Sequence, residues 1–429
     1  MHTLRDTHHT QTVGLNLNKH RDNMENNDLD ESLFADPEDI GAENEEDIEQ
    51  NDDSFSQSVI WGTDWTAETI NNQLTRGNID LFPKFQRRDA WSNKAKSRFI
   101  ESIILGLPIP QIILAEKKGQ RGKYIVIDGK QRLLTIRRFF SQKADDEFKP
   151  LRLIGLEILT DLNGKTYKKL KEDAEYIDEL NQLENQSIRT TIIKNWPNES
   201  FLFTVFLRLN TGSIKLSPQE LRQALHPGPF IDFADEFSIE SEGIKNMLNL
   251  KKPDYRMRDV EIVIRYFANK YFLKVYEGNL KKAFDNTVKI LNENWENDKD
   301  KIIADAKNLD SAIQFTIELY GGQKQAFSKW LGDSFQNNFN RAIFDIMVYY
   351  FSVPEILEEA KTKMTPILDS FKNLCIVDEA FLSSFEHTTK SMDNTFKRLT
   401  TWGNALADVL DVPIVVPYYN ENGYLEQTI

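Results

Sequence analysis

The sequence predicts an α+β domain followed by a mainly helical domain, with an acidic polar segment ahead of both. Three observations predict this. Two short apolar runs, Gln111 to Ala115 and Tyr124 to Ile127, flank a Gly- and Lys-rich turn, which is the pattern of a hairpin. Apolar residues at helical spacing surround that pair and dominate the chain beyond residue 230. Residues 1–55 are polar and nearly free of aromatics, so they cannot bury enough apolar surface to offset the entropy of ordering. The expected division is a disordered acidic tail over 1–55, an α+β domain over 56–232 and a helical domain over 233–429.

The elements follow in order. Asp64 to Leu74 reads as a helix ended by Gly77, and Ile79 to Phe85 as an extended, Pro-containing segment. Ser92 is placed to cap a helix in which Ala95, Phe99, Ile100, Ile103 and Ile104 share a face, with Gly106 at its end. Leu107-Pro-Ile-Pro110 forces an extended chain into the first hairpin strand. Gly129 breaks the second strand, and Gln131 to Phe140 is a helix. Leu151 to Leu159 is assigned to a strand, and the apolar run Phe201 to Leu207 fits either type. Ser217-Pro-Gln-Glu220 carries the features of a capping box, with Ser at N-cap, Pro at N1 and Glu at N3. Val260 to Leu273, Ala283 to Trp295, Phe339 to Phe351, Pro354 to Leu368 and Asn394 to Leu410 read as helices, and Val412 to Pro417 as a closing strand.

Composition excludes several classes. No apolar run reaches the roughly 18 residues that a membrane helix needs, and the polar start has no secretory h-region. A single cysteine, Cys375, rules out an internal disulfide and a Cys-rich zinc site. A cytoplasmic location is expected. The net charge of −14 is almost wholly a property of residues 1–60, which hold 16 acidic and three basic residues and leave −1 for the rest. A basic face on the body therefore stays compatible with DNA. Four of the six histidines lie in the first 20 residues, and only His226 and His387 remain. A nuclease of the HNH type needs clustered histidines, so no direct metal cluster is expected.

Three clusters carry candidate chemistry. In the first, a strand runs into Asp128 and Gly129, and Lys130-Gln131-Arg132 opens a helix. A helix N-terminus offers unpaired N–H groups and partial positive charge to an anion. Gly129 permits a sharp turn and close approach, and Arg132 can grip phosphate with two donors. Asp128 can bind Mg²⁺ or orient water; equally, it can simply cap the helix. The second cluster is Gln86-Arg87-Arg88-Asp89-Ala-Trp91, where two arginines beside an aromatic suit a phosphate clamp and a base-stacking surface. The alternative is a surface loop with Trp91 tucked into the core. Glu101 pairs with Arg98 on its helix or faces the site as a general base. The third is the polar loop Asn210-Thr-Gly-Ser213.

Together, Gln86-Arg87 with Trp91, Ile100 to Pro110, Val126 to Leu133 and Phe206 to Gly212 resemble one family in order and spacing. It is domain-of-unknown-function family 262, the N-terminal domain of GmrSD-type modification-dependent restriction enzymes. The resemblance implies a ParB/sulfiredoxin-like fold and a site that takes NTP with Mg²⁺. It assigns Asp128, Gln131 and Arg132 to catalysis, and Arg87, Trp91, Gly129, Lys130, Arg132 and Asn210 to the nucleotide and its phosphates, with Mg²⁺ reached through Asp128. The chain departs at Lys130, where the family usually has Gln. It also lacks the histidine motif of the nuclease domain, since His387 stands alone. The implied function is an NTP-binding, NTP-hydrolysing component of bacterial phage defence or restriction, partnered by DNA and a separate nuclease. A ParB-like DNA-binding module without catalysis and a metal-independent nuclease remain open, as does a pure scaffold.

Overall fold

The computed structural model describes residue 43 and residues 59–81, 88–142, 148–209, 217–386, 389–420 and 423–428. Apart from Glu43, the segment assigned to an acidic tail lies outside them. The chain is α+β, with a small mixed sheet followed by a helical region. Strands β1 (Val59–Thr66), β2 (Ile112–Glu116), β3 (Tyr124–Asp128) and β4 (Ser187–Lys194) run in the order β1-β4-β2-β3. β2 and β3 form the expected antiparallel hairpin, while β4 lies parallel to β2 and antiparallel to β1.

Helices cover both faces of this sheet. On one side lie α1 (Ala67–Thr75), α2 (Asn93–Ile104), α3 (Lys130–Phe140), α4 (Tyr167–Glu172) and α5 (Ile177–Asn185). Their apolar faces meet Ile112, Leu114, Ile188 and Ile192 of the sheet. On the other side α6 (Glu199–Leu209) and α7 (Pro218–Leu225) pack on Ile113, Ala115, Ile125, Ile127 and Ile193. Burial on both faces explains why β2 reads as an unbroken apolar run rather than an alternating one. Each fully buried Ile, Leu or Phe contributes about 1.5–3 kcal/mol.

Several expectations shift. Asp64 and Trp65 belong to β1, and the helix begins only after Thr66, whose hydroxyl accepts the Thr69 N–H. Leu151 to Leu159 is irregular chain, not a strand. The strand that completes the sheet is β4, which the sequence reading missed. The ambiguous run at Phe201 is helical, because it lays Phe201, Leu202 and Phe206 on one sheet face. Ser92 caps α2 and the Ser217–Glu220 capping box is formed, both as expected.

Beyond residue 228 come α8 (Pro229–Glu240), α9 (Glu242–Leu248), α10 (Arg258–Phe272), α11 (Leu280–Glu293), α12 (Trp295–Leu319), α13 (Arg341–Phe351), α14 (Pro354–Thr362), α15 (Met364–Val377), α16 (Glu379–Ser383) and α17 (Met392–Ala407). The run expected as one helix from Pro354 breaks at Lys363. The closing strand is half of a hairpin, β5 (Val415–Asn420) with β6 (Gly423–Thr428). The centre is α10, buried all round from Asp259 to Ala268. One apolar cluster runs from Phe230 to Val416, separate from the two clusters on the sheet.

One buried side chain reaches from the first half into the second. Arg88, just before α2, is 1% exposed. Its Nε donates to Asp235 Oδ1 of α8 at 2.9 Å, and its Nη1 to Asp259 Oδ1 of α10 at 2.7 Å and to the Asp254 carbonyl at 2.6 Å. Its Nη2 donates to Ser238 Oγ. Burial works against the cation, but Asp259 and Asp235 outweigh it and hold Arg88 above its ordinary pKa. Removing one member of such a buried set strands the others. Arg88→Met should therefore lower the unfolding free energy of the full chain by about 3–5 kcal/mol in urea titration; a loss below about 1 kcal/mol would discount the junction.

Candidate functional site

The site is built where β3 ends and α3 begins. Gly129 has φ +98°, and a Cβ there would lie 3.2 Å from Ile112 Cγ1 and 3.3 Å from Arg132 Nε and Nη2. Only glycine fits both the left-handed backbone and the crowding. No side chain caps α3. Asp128 instead receives Arg132: the Nη2 donates to Asp128 Oδ2 at 2.7 Å and to the Gln111 carbonyl at 3.0 Å. Arg132 Nε is buried without a hydrogen-bond partner. The Asp128 side chain is 37% exposed against 10% for Arg132, so the carboxylate faces solvent over a buried guanidinium.

The neighbouring expectations sort themselves around this pair. Gln131 Oε1 accepts the Trp91 N–H at 3.4 Å, a long bond that brings the second cluster beside the first. Trp91 is half-buried, its ring edge-on to Phe99 at 5.5 Å. Asp89 holds the loop by pairing with Lys96 at 2.7 Å and Arg138 at 3.1 Å. Burial pulls the Lys96 ammonium below its usual range in spite of Asp89. Lys130 is buried and pairs with Glu220 of α7, whose other oxygen accepts the Ser217 N–H at 2.8 Å. Lys130 therefore fastens α3 to the start of α7 rather than lying open to a ligand. Arg87 and Asn210 lie outside the described residues. Asn210 lies seven residues ahead of that fastened Ser217.

Glu101 does not fit the role of a general base. It is 5% exposed, and its oxygens accept the N–H groups of Ile158 at 2.9 Å, Leu159 at 2.8 Å and Glu157 at 3.4 Å. It clamps the irregular 151–159 chain, which explains how that segment stays ordered without being a strand. Arg98 pairs with Glu157 instead of Glu101. Arg88, grouped with Arg87 as a phosphate clamp, is turned into the junction with α8 and α10. Nothing in its spacing distinguishes it from Arg87; the signal lay in Asp235, Asp254 and Asp259, far away in sequence.

Among the described residues, Glu199, His226 and Asp285 bring ligand atoms within 4.8 Å of one another. Distance alone would admit a divalent ion. Three cations already occupy the surroundings: Lys289 lies 3.2 Å from Glu199, and Lys281 and Arg222 each 2.7 Å from Asp285. Against the upward push of burial, His226 and Lys289 hold Glu199 below its usual pKa, and Arg222 and Lys281 do the same for Asp285. The carboxylates are neutralised by side chains, and the cluster is an ion-pair network rather than a metal centre.

Residues 67–227 match the family model described as GmrSD restriction endonuclease, N-terminal domain. That segment belongs to this family. No curated protein matches the chain significantly. The matched segment takes in the β2–β3 hairpin, the Asp128–Arg132 turn, Arg88 and the whole of α7, while β1 and the helices from α8 onward lie outside it. Among the described residues, no helix is long and apolar enough to cross a membrane. In this GmrSD domain Gly129→Ala should cost about 1–3 kcal/mol through the strained φ alone and push Arg132 off Asp128. A melting curve unchanged from the parent chain would contradict the crowding at this turn.

Proposed function

We propose that the chain is an NTP-binding, NTP-hydrolysing component of a bacterial restriction or anti-phage system, with its site at Asp128–Arg132. The observation that carries this is the buried, unpartnered Nε of Arg132 beside the Cβ-free face of Gly129, at an uncapped helix start. An anion at this turn would meet the Arg132 guanidinium and a helix N-terminus, with no Cβ on Gly129 to crowd it further. Asp128, the exposed partner of Arg132, is the group available to a Mg²⁺ ion or an attacking water. A bound Mg–nucleotide would supply the electrophilic phosphorus and the leaving group. Arg132 would neutralise phosphate charge, and Gln131 would orient a water from the edge of the site. Trp91 offers the ring on which a base would stack. Lys130 would act indirectly, by balancing the Glu220 charge behind α3.

DNA is proposed as a partner through the exposed basic residues Lys118 and Arg121 of the β2–β3 turn, where Lys118 lies 4.4 Å over Trp196. DNA affinity that falls steeply with salt supports that contact. Cutting would come from a separate nuclease subunit, since beyond residue 20 the sequence holds only His226 and His387. The decisive measurement is Mg²⁺-dependent hydrolysis of the four NTPs by the purified full chain. Asp128→Ala and Arg132→Ala should each slow turnover by about 100-fold, the usual scale for a positioned proton-transfer or charge-stabilising group, with circular dichroism confirming that each variant is folded. Turnover at the parental rate in both variants would sink the site.

A further inference from the structure

The helical half, which lies beyond the family match, holds a cavity of about 560 Å³. Pockets for drug-sized ligands span roughly 300–1,000 Å³, so this is the size of a ligand site and not of a packing defect. It forms where α10 leaves the core. That helix is buried all round up to Ala268, but Asn269 to Phe272 are only partly covered. The last turns of α10 supply Tyr266, Asn269, Lys270 and Tyr271, and α12 supplies Lys301 and Asp305. Tyr349 of α13 adds a third ring, while Val353, Ile356 and Val415 add apolar surface.

Some polar groups in the lining are already satisfied. Asp305 is 8% exposed; its Oδ2 accepts from Tyr271 Oη at 2.5 Å, and its Oδ1 lies 3.3 Å from Lys270 Nζ. Others are not. Tyr266 is 1% exposed, and its hydroxyl is buried without a well-formed hydrogen bond, with Ser352 as its polar neighbour. Burial holds that phenol well above its ordinary pKa, and Asp305 adds to the effect against the pull of Ser352, so Tyr266 keeps a proton to donate. Asn269, one turn along α10 from Tyr266, brings an amide that can both donate and accept. Lys301 is exposed at the rim, 4.6 Å over the Tyr271 ring, and makes no ion pair among the described residues. The lining therefore carries two ammonium groups against one carboxylate. Asp298, one turn ahead of Lys301 on α12, acts on Tyr271 but is not part of the lining.

We propose that this cavity binds a nucleoside monophosphate, with its ring among the tyrosines, its phosphate at Lys301, and a polar group of the base or sugar in reach of Tyr266 and Asn269. Size, surface and charge each narrow the choice. The volume far exceeds that of a bare phosphate or a single-ring acid. Tyrosine faces suit a flat ring, because stacking on an aromatic side chain tolerates any base. One ammonium in excess matches a single phosphate better than a triphosphate, whose further charges would find no partner in the lining. A hydroxyl buried without a partner gains most from a ligand that can bond to it. Every residue of the lining lies in the helical half, so the inference does not rest on the nucleotide site at Asp128.

Isothermal titration of the full chain with AMP, GMP, CMP and UMP, with the matching nucleosides and with inorganic phosphate tests this. At least one monophosphate should bind more tightly than both its nucleoside and phosphate. Lys301→Glu, a change at an exposed position, should weaken that monophosphate by about tenfold or more, the scale of a lost charged hydrogen bond, and leave the nucleoside little changed. Tyr266→Phe removes only the unmatched hydroxyl and should weaken binding by about threefold to tenfold without lowering the melting temperature. Asp128→Ala should bind as the parent does, which separates failure here from failure of the Asp128 site. Binding of no monophosphate, phosphate binding as tightly as the nucleotide, indifference to both Lys301→Glu and Tyr266→Phe, or loss of binding in Asp128→Ala would each overturn the proposal.

Discussion

Arg88 is the constraint on which the rest depends. A guanidinium with no exposed surface must find acceptors for its donors, and it finds them only if α8, α10 and the loop before α2 meet in one geometry. Asp254 completes the set in a second way. Its carbonyl takes Arg88, and its carboxylate takes the backbone and side chain of Arg258 at the first residue of α10. Burial opposes the Asp254 charge, yet Arg258 and Arg88 together hold it below the usual carboxylate range. The family-matched domain and the helical half are thereby fixed relative to each other by directional bonds as well as by apolar contact.

That fixed junction also shapes the candidate site. Asp89 follows Arg88 directly and anchors the chain to α2 and α3 through Lys96 and Arg138. Trp91 then arrives beside Gln131, so one short loop carries the interdomain bond at one end and the edge of the Asp128 site at the other. From the opposite side, Lys130 and Glu220 lock the first turn of α3 to α7. The start of α3 is gripped from both directions, and the exposed member left over is Asp128. A site of this kind is rigid in its frame and accessible at one carboxylate, which is the arrangement that positional catalysis requires.

What the sequence made legible was local. The β2–β3 hairpin, the Ser92 cap and the Ser217 capping box each depend on residues within a few positions of one another, and the structure has them as read. What it hid was non-local. β4 escaped notice because Ser187–Lys194 mixes Thr and Arg among its isoleucines, and its identity comes from being the central strand between β1 and β2. Leu151 to Leu159 looked like a strand because Leu151, Leu153 and Leu156 are core residues, but its end is held by the Glu101 clamp instead of by a neighbouring strand. Arg88 and Glu101 were both read as chemistry because buried structural charges and catalytic ones use the same residue types. Their partners, more than 50 residues distant in both cases, decide between the two uses.

Charge shows the same lesson on a larger scale. A net value near −1 beyond residue 60 suggests an unremarkable body, yet several of its arginines lie inside it. Arg88, Arg222, Arg265, Arg341 and Arg398 are each 3% exposed or less. Such side chains leave water only where carboxylates are waiting, so the acids that balance them are drawn inward too. Arg398 is the limiting case: burial lowers its pKa even though Asp345 pulls the other way. Against an interior so dependent on counter-charge, a carboxylate arriving from the acidic N-terminal segment is less a stray contact than a missing member of the set. Glu43 adds a second carboxylate at Arg222 beside Asp285 of α11, and it does so from a part of the chain whose composition gave no reason to expect it inside.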